Sequence, residues 1–426
     1  MARNNKNTED DIQYPLVAVD FGSSGIRVMA AEPNKDGTLT ILGVEPLEKY
    51  GFVEKGVVTQ STDASNHLKR QLKFLTNRCG LPFDSIDRAF VCVGDKLLQV
   101  ITTSSKRDFV SANYISPNIL KSMETECIEK ITGKYEKMAI VSIVPLRYFL
   151  DGIEQTKAPE KTQKARMFEV EYQLFVCQKT ALEHLQGSFG RAGMAIEYQW
   201  SRPDALVTAL TGDKEREEGV AIIDFGAQTT TLSIYKGDRF LFTYTVLKGG
   251  YQISNDIANT FGISFDSAEK LKCRFGIAAP KFVKQERDIL IRSSRQEDLL
   301  KINLSSVARV IDARLQETLE PLMQIIDDYS SQLKYLYITG GGSMLDSLCP
   351  FLRERTSLQV DFGSHACCLS QDAEQAYYMP RYSSLVGTLI MGADHRRESK
   401  NRNNVQIPSP IHSVVKFMRD LFTNND

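Results

Sequence analysis

Leu16-Val17-Ala18-Val19-Asp20-Phe21-Gly22-Ser23-Ser24-Gly25-Ile26-Arg27-Val28 and, much later, Val220-Ala221-Ile222-Ile223-Asp224-Phe225-Gly226-Ala227-Gln228-Thr229-Thr230-Thr231-Leu232 share one pattern. Each is a short apolar run, an Asp-Phe-Gly turn with small polar residues, and a second apolar run. Short apolar runs bounded by glycine read as buried strands, and small residues between two of them read as a tight hairpin. The repeat distance is far beyond the roughly 20–50 residues of solenoid repeats. It indicates an α/β protein of two related domains facing each other.

Working outward, Thr40–Val44 and Ala89–Val93 read as further strands. Residues Ala64–Cys79 read as a helix with Leu68, Leu72 and Leu75 on one face. Ser116-Pro117 has the form of an N-cap followed by proline at the first helical position. The helix after it carries Ile119, Leu120, Met123, Ile128 and Ile131. A strand (Met138–Val144), a charged stretch (Thr156–Arg166) and another strand (Phe168–Cys177) follow. Residues 95–172 thus read as a compact insertion. In the second half, Ile253–Phe261, Ser267–Phe275 and Val307–Tyr329 read as helices, and Tyr335–Ile338 as a strand ending in Gly340-Gly341-Gly342. Polar residues with two prolines follow position 393 and have the composition of a flexible linker.

Composition excludes several classes. The chain has 426 residues, 52 Lys plus Arg and 53 Asp plus Glu, for a net charge of -1. This balance excludes a broadly basic nucleic-acid binder. No apolar run approaches the ~20 residues of a membrane-spanning helix, and the polar N-terminus has no secretion-signal pattern. The eight cysteines form no C-x-x-C pair, so free thiols in a reducing cytosol are expected. The five histidines (67, 184, 365, 395 and 412) sit in no nucleophile or metal-ligand spacing and are expected at the surface or at caps.

The paired loops have a chemical rationale. Glycine lets backbone approach an anion, and consecutive N–H groups with Ser or Thr hydroxyls cradle phosphate oxygens. That makes Gly22, Ser23 and Ser24, with Gly226, Gln228, Thr229 and Thr230, phosphate-binding candidates. Asp20 and Asp224 are candidates to hold Mg²⁺ through water. The glycine cluster, with Gly341, Gly342 and Ser343, can lie close against a flat base. Any one such loop is ordinarily a plain hairpin turn; the ordered set is what points to a nucleotide.

That set resembles the actin-like ATPase superfamily, which implies a two-domain fold around one ATP–Mg²⁺ cleft. Ser201–Leu206 and Ser384–Thr388 resemble its two connecting helices, and Arg27 stands about where actin has a phosphate-binding lysine. Leu247–Ala258, Ala268–Lys272, Phe275–Ala278 and the insertion after Gly94 are similar to the FtsA family of bacterial cell-division proteins. The resemblance implies that Gly250, Glu269 and Lys272 bind the adenosine side. It also implies self-polymerisation, recruitment of the FtsZ C-terminal tail, contacts of the insertion with other division proteins, and location at the division site on the inner face of the cell membrane. Two positions depart from the family. Relatives often have a Lys at the position of Gly25. Relatives commonly place Gln or Glu before the proline of the first connecting helix, where this chain has Arg202-Pro203. A guanidinium cannot act as a base. Asp204 is then the one catalytic candidate, and slow or negligible hydrolysis is expected.

The resulting layout is a disordered 1–13, a first actin-like domain at 14–94 and 173–217, and the inserted subdomain at 95–172. A second actin-like domain follows at 218–249 and 331–392, with a small FtsZ-contacting subdomain at 250–330, a linker at 393–410 and an amphipathic helix at 411–426. In that last segment Ile411, Val414, Val415, Met418, Leu421 and Phe422 fall within an arc of roughly 120°, with Lys416 and Arg419 opposite it or at its edge. Such a helix can dock on its own core or lie on an anionic lipid surface; the polar segment before it and the family resemblance favour the membrane. Rival readings are a small-molecule kinase, a pilus-assembly ATPase and a chaperone of the same superfamily.

Overall fold

The structure is a computed structural model that describes residues 15–44, 51–82, 85–94, 96, 98–155, 159, 162–237, 239–292 and 299–403. The chain begins β1 (Leu16–Gly22), β2 (Gly25–Pro33), β3 (Leu39–Val44), the short pair β4 (Val53–Glu54) and β5 (Val57–Val58), α1 (Ser61–Arg78) and β6 (Arg88–Val93). It continues through β7 (Gln99–Tyr114), α2 (Pro117–Lys134), β8 (Met138–Leu150), β9 (Ile153–Gln155), β10 (Lys164–Gln178), α3 (Lys179–Ala192), β11 (Ala195–Ser201) and α4 (Arg202–Leu210). The second half runs α5 (Asp213–Glu218), β12 (Val220–Phe225), β13 (Thr230–Lys236), β14 (Arg239–Val246), α6 (Gly250–Phe261), α7 (Phe265–Phe275), β15 (Asp288–Arg292), β16 (Leu299–Asn303) and α8 (Leu304–Asp328). It closes with β17 (Tyr335–Thr339), α9 (Leu348–Arg353), β18 (Gln359–Phe362) and α10 (Ser383–Asn403).

Two five-stranded sheets have the same topology. One is ordered β3-β2-β1-β6-β11 and the other β14-β13-β12-β17-β18. In each, three strands form an antiparallel meander and two more add in parallel. The repeated Asp-Phe-Gly hairpin is the β1–β2 turn of the first sheet and the β12–β13 turn of the second. Strand alternation sends successive side chains to opposite faces. On one face of the first sheet, Val17, Val19 and Phe21 join Leu68, Leu72 and Leu75 of α1 and Leu182, Leu185 and Phe189 of α3. On the other, Leu16, Ala18 and Met29 join Trp200 and Leu385, Val386 and Leu389 of α10. Each buried Val, Leu, Phe or Met among them contributes about 1.5–3 kcal/mol. In the second sheet Ala221, Ile223 and Phe225 meet α6 and α8, while Val220 and Ile222 join the first core, so the halves share packing.

The insertion is a four-stranded sheet, β7-β10-β8-β9, covered by α2. The Ser116 hydroxyl accepts the Ile119 N–H at the start of α2. Its expected end at 172 falls inside β10, which is continuous to Gln178. Phe168, Val170, Tyr172, Leu174 and Val176 face α2. Phe175 and Cys177 enter the core of the first domain. One strand therefore serves both units, and no boundary exists at 172.

The expected linker is corrected over 393–403, where α10 continues helically through Asn403; its remainder, 404–410, lies outside the described residues. Arg396 reaches Glu197 at 2.6 and 2.8 Å and lies over the Phe90 ring, while His395 packs on Tyr198 at 4.8 Å. His67 and His365 are buried rather than superficial, and His365 is bonded to Ser383 and the Tyr377 carbonyl. The readings at 1–13 and 411–426 lie outside the described residues. None of the described helices is long and apolar enough to cross a membrane.

Candidate nucleotide site

The two hairpin turns reach their shared cleft by different constructions. In β1–β2 the register pairs Gly22 with Gly25, leaving Ser23-Ser24 as a two-residue turn. Gly25 has φ 146°, a region that L side chains rarely adopt. In β12–β13 the last pair is Phe225 with Thr230, leaving a four-residue loop closed by Gly226 N–H donating to the Thr229 carbonyl at 2.9 Å. The start of α6 holds this loop. Gly250 N–H donates to the Gly226 carbonyl at 3.0 Å and Tyr251 N–H to the Ala227 carbonyl at 2.7 Å. A Cβ on Gly249 would stand 2.6 Å from the Gly226 carbonyl oxygen, so only glycine fits.

Between the loops lies a cleft of about 470 Å³, within the usual range of ligand sites. Gly340, Gly341 and Gly342 close its far side. At Gly340, φ is 86° and a Cβ would stand 2.3 Å from Asp224 Oδ1. Among the described lining residues six are basic (Arg27, Arg202, Lys272, Arg274, Arg287 and Arg381) and four acidic (Asp20, Asp224, Glu269 and Asp346). The excess is positive and suits a polyanion.

The charged centre is a quartet of buried Asp20, Arg27 and Arg202 with part-buried Asp224. Arg27 Nη1 donates to Asp20 Oδ2 at 2.9 Å and Arg202 Nη2 to Asp20 Oδ1 at 2.7 Å. Arg202 Nη1 lies 3.9 Å from Asp224 Oδ2, within ion-pair range. Burial alone would raise the Asp20 carboxyl, but Arg202 and then Arg27 outweigh it and hold it below its ordinary value. Arg27 Nη2 also donates to Ser24 Oγ at 3.0 Å, which ties the turn to the quartet.

A magnesium ion does not fit between Asp20 and Asp224. The Asp20 side chain is 1% exposed and both its oxygens carry guanidinium donors. In place of the expected water-held Mg²⁺, Asp20 is taken up by two arginines and Asp224 lies within ion-pair range of Arg202.

Residues 221–387 match the family described as "Cell division protein FtsA". The chain is 25% identical to FtsA of Streptococcus pneumoniae over 317 residues, covering 73% of this chain and 66% of that protein. It is 22% identical to FtsA of Escherichia coli over 421 residues, covering 94% and 96%. The chain resembles FtsA. Among solved structures, a PilM-PilN type IV pilus biogenesis complex aligns with TM-score 0.65 at 15% identity, covering 88% of this chain and 98% of that one. MreB5 of Spiroplasma citri bound to ADP aligns with TM-score 0.56 at 12% identity, covering 91% and 99%. The fold is that of the actin-like ATPases.

Of the residues expected from the FtsA-like motifs, thirteen line the cleft: Asp20, Gly22, Ser23, Ser24, Arg27, Asp224, Gly226, Thr229, Gly250, Glu269, Lys272, Gly341 and Gly342. Lys272 Nζ donates to the Gly250 carbonyl at 2.7 Å and to Glu269 Oε2 at 2.8 Å. Burial would raise Glu269, but Lys272 and the Ser254 hydroxyl bring it below its ordinary value. Four expected residues are not among the lining set. Gln228 Oε1 accepts the Lys55 N–H at 2.7 Å, Thr230 Oγ1 donates to the Lys248 carbonyl at 2.8 Å, and Ser343 Oγ donates to the Gly340 carbonyl at 2.7 Å. The fourth is the catalytic candidate, Asp204. Its Oδ2 accepts from the Ser201 hydroxyl at 2.6 Å, its N–H returns to Ser201 Oγ at 3.2 Å, and Tyr235 Oη lies 3.4 Å from Oδ1. It closes the first turn of α4 and lies outside the cleft lining, so its visible role is that of a helix cap.

Sequence reasoning missed two features. The β4–β5 turn clasps both loops, since Lys55 N–H reaches Gln228 and Gly56 N–H reaches Ser23 Oγ at 3.0 Å. Arg202, noted only as unable to be a base, is the centre of the quartet. Its position at the head of a connecting helix, facing two loop aspartates, was the available signal.

Proposed function

We propose that this chain is an FtsA-type cell-division protein that binds ATP between its two halves. It tethers FtsZ filaments to the inner face of the cytoplasmic membrane and helps assemble the septal ring. The observation that carries this reading is the convergence of two phosphate-type turns, one from each of two sheets of identical topology, on one buried guanidinium. The FtsA match over residues 221–387 supports a division role over other uses of the fold.

In this reading the turn amides at Ser23-Ser24 and Gly226–Thr229 cradle the phosphates with Arg27 and Arg202, and Gly341-Gly342 and Lys272 border the nucleoside. No carboxylate of the quartet is free to accept a proton from water, and Asp204 is committed to its helix cap, so ATP acts as a structural and assembly ligand with weak or no turnover. Residues 250–330 receive the FtsZ C-terminal tail; their β15–β16 hairpin exposes Leu290 and Leu299. The inserted sheet contacts neighbouring subunits in the polymer and other division proteins. Residues 411–422 lie on anionic lipid, where each apolar side chain contributes about 1.5–3 kcal/mol and each basic one about 1 kcal/mol.

Liposome co-sedimentation of the intact and 1–405 proteins, with FtsZ and ATP, tests the proposal. Intact protein is expected to bring FtsZ down with the vesicles and the truncated form to leave it in solution. Equal sedimentation of both forms would contradict the tether.

A further inference from the structure

We propose that the Arg202 guanidinium takes the place of a divalent cation in this cleft, so that the nucleotide triphosphate binds as the metal-free anion. The proposal rests on the ATP-binding reading and deepens it.

Three observations carry it. First, the guanidinium spans the two loop aspartates, with one nitrogen 2.7 Å from Asp20 and the other 3.9 Å from Asp224. A planar cation with two donor edges suits that position better than an ammonium would. Second, the protein is shaped around this side chain. A Cβ on Gly94, at the end of β6, would stand 2.6 Å from Arg202 Cβ and 2.7 Å from Nε. The backbone there leaves the volume of a methyl group empty of side chain so that Arg202 can enter. Third, charge is already balanced. Arg27 and Arg202 neutralise Asp20 and Asp224, and the other lining residues, Lys272, Arg274, Arg287 and Arg381 against Glu269 and Asp346, leave an excess of positive charge for phosphate. With its fork directed at the two aspartates, Arg202 holds the loops together while its charge stays in the cleft lining that the phosphates meet. Occupancy of the cleft then follows ATP concentration and is indifferent to free magnesium.

Calorimetric titration of the full-length protein with ATP, once in excess EDTA and once in excess MgCl₂, tests this. The two dissociation constants are expected to agree within about threefold; a loss beyond about tenfold in EDTA overturns the proposal. Arg202→Gln frees Asp224 from its arginine and leaves Asp20 held by Arg27 alone, and it is expected to make binding magnesium-dependent, with affinity lost in EDTA and regained with the metal. A folded R202Q protein indifferent to EDTA also overturns it. If R202Q does not fold, the wild-type comparison decides alone. Absence of saturable binding in both media defeats the ATP-binding reading and this proposal with it, whereas binding in magnesium only defeats this proposal and leaves that reading intact.

Discussion

Asp204→Asn separates a helix-capping acid from a catalytic one. Burial dominates the Asp204 environment and pushes its carboxyl from an ordinary 3.8 up to about 6, against the opposing hydrogen bonds of Ser201 and Tyr235. In the unfolded chain the proton leaves near pH 4; in the folded protein it is held to about pH 6. Between those values the folded state carries the extra proton, so stability falls as pH rises, and above pH 6 the whole difference, roughly 3 kcal/mol, has been lost. Asparagine keeps an oxygen for the Ser201 hydroxyl and has no proton to lose. It forfeits a negative charge in the first turn of α4, worth about 0.5–1 kcal/mol. The variant is therefore expected to match wild type in urea unfolding near pH 4 and to exceed it by about 2 kcal/mol at pH 7.5. ATP affinity is expected to be unchanged, because Asp204 does not line the cleft. Parallel stability profiles from pH 4 to 7.5, or loss of ATP binding in D204N, would refute the reasoning.

Two further substitutions probe the same framework. Glu124 is fully buried in the inserted subdomain with no partner on either oxygen, and burial pushes it up to about 8. Its folded carboxyl retains a proton that the unfolded chain releases, so wild-type stability falls across pH 5–8, and Glu124→Gln is expected to gain roughly 2 kcal/mol over wild type between pH 6 and 8 in denaturant titrations. A Cβ on Gly387 would lie 1.8 Å from the Ala205 carbonyl oxygen where α10 crosses α4. Gly387→Ala is expected to lower stability by at least about 1–3 kcal/mol and to weaken ATP binding by separating the connecting helices; an unchanged melting temperature would contradict this.

The parts of the fold legible in the sequence were those written locally. Both Asp-Phe-Gly hairpins were visible because an apolar run stops at a glycine turn, and α1 and α2 because their apolar residues recur at helical spacing. Strand β7 was not. Its run from Gln99 to Tyr114 is rich in Thr, Ser, Lys and Arg and mostly exposed, because it is an edge strand defined by pairing with β10. The end of α10 read as a linker from its polar composition, yet Lys, Arg and Glu are good helix formers and Arg396 is anchored by Glu197, distant in sequence. The site divided in the same way. Lining residues on the two turns could be named from their motif. The roles of Arg202 and Asp204 could not, since each depends on a partner brought in by the fold: Asp20 for the first and Tyr235 for the second.

The central claim is that both turns and the glycine cluster grip one nucleotide. Amide hydrogen exchange on the full-length protein, with and without ATP, tests it directly. The account predicts slowed exchange at Ser23-Ser24, Gly226–Thr229 and Gly340–Gly342 together, saturating with a single affinity. Protection confined to one half, or saturable ATP uptake with none of these segments protected, would contradict it.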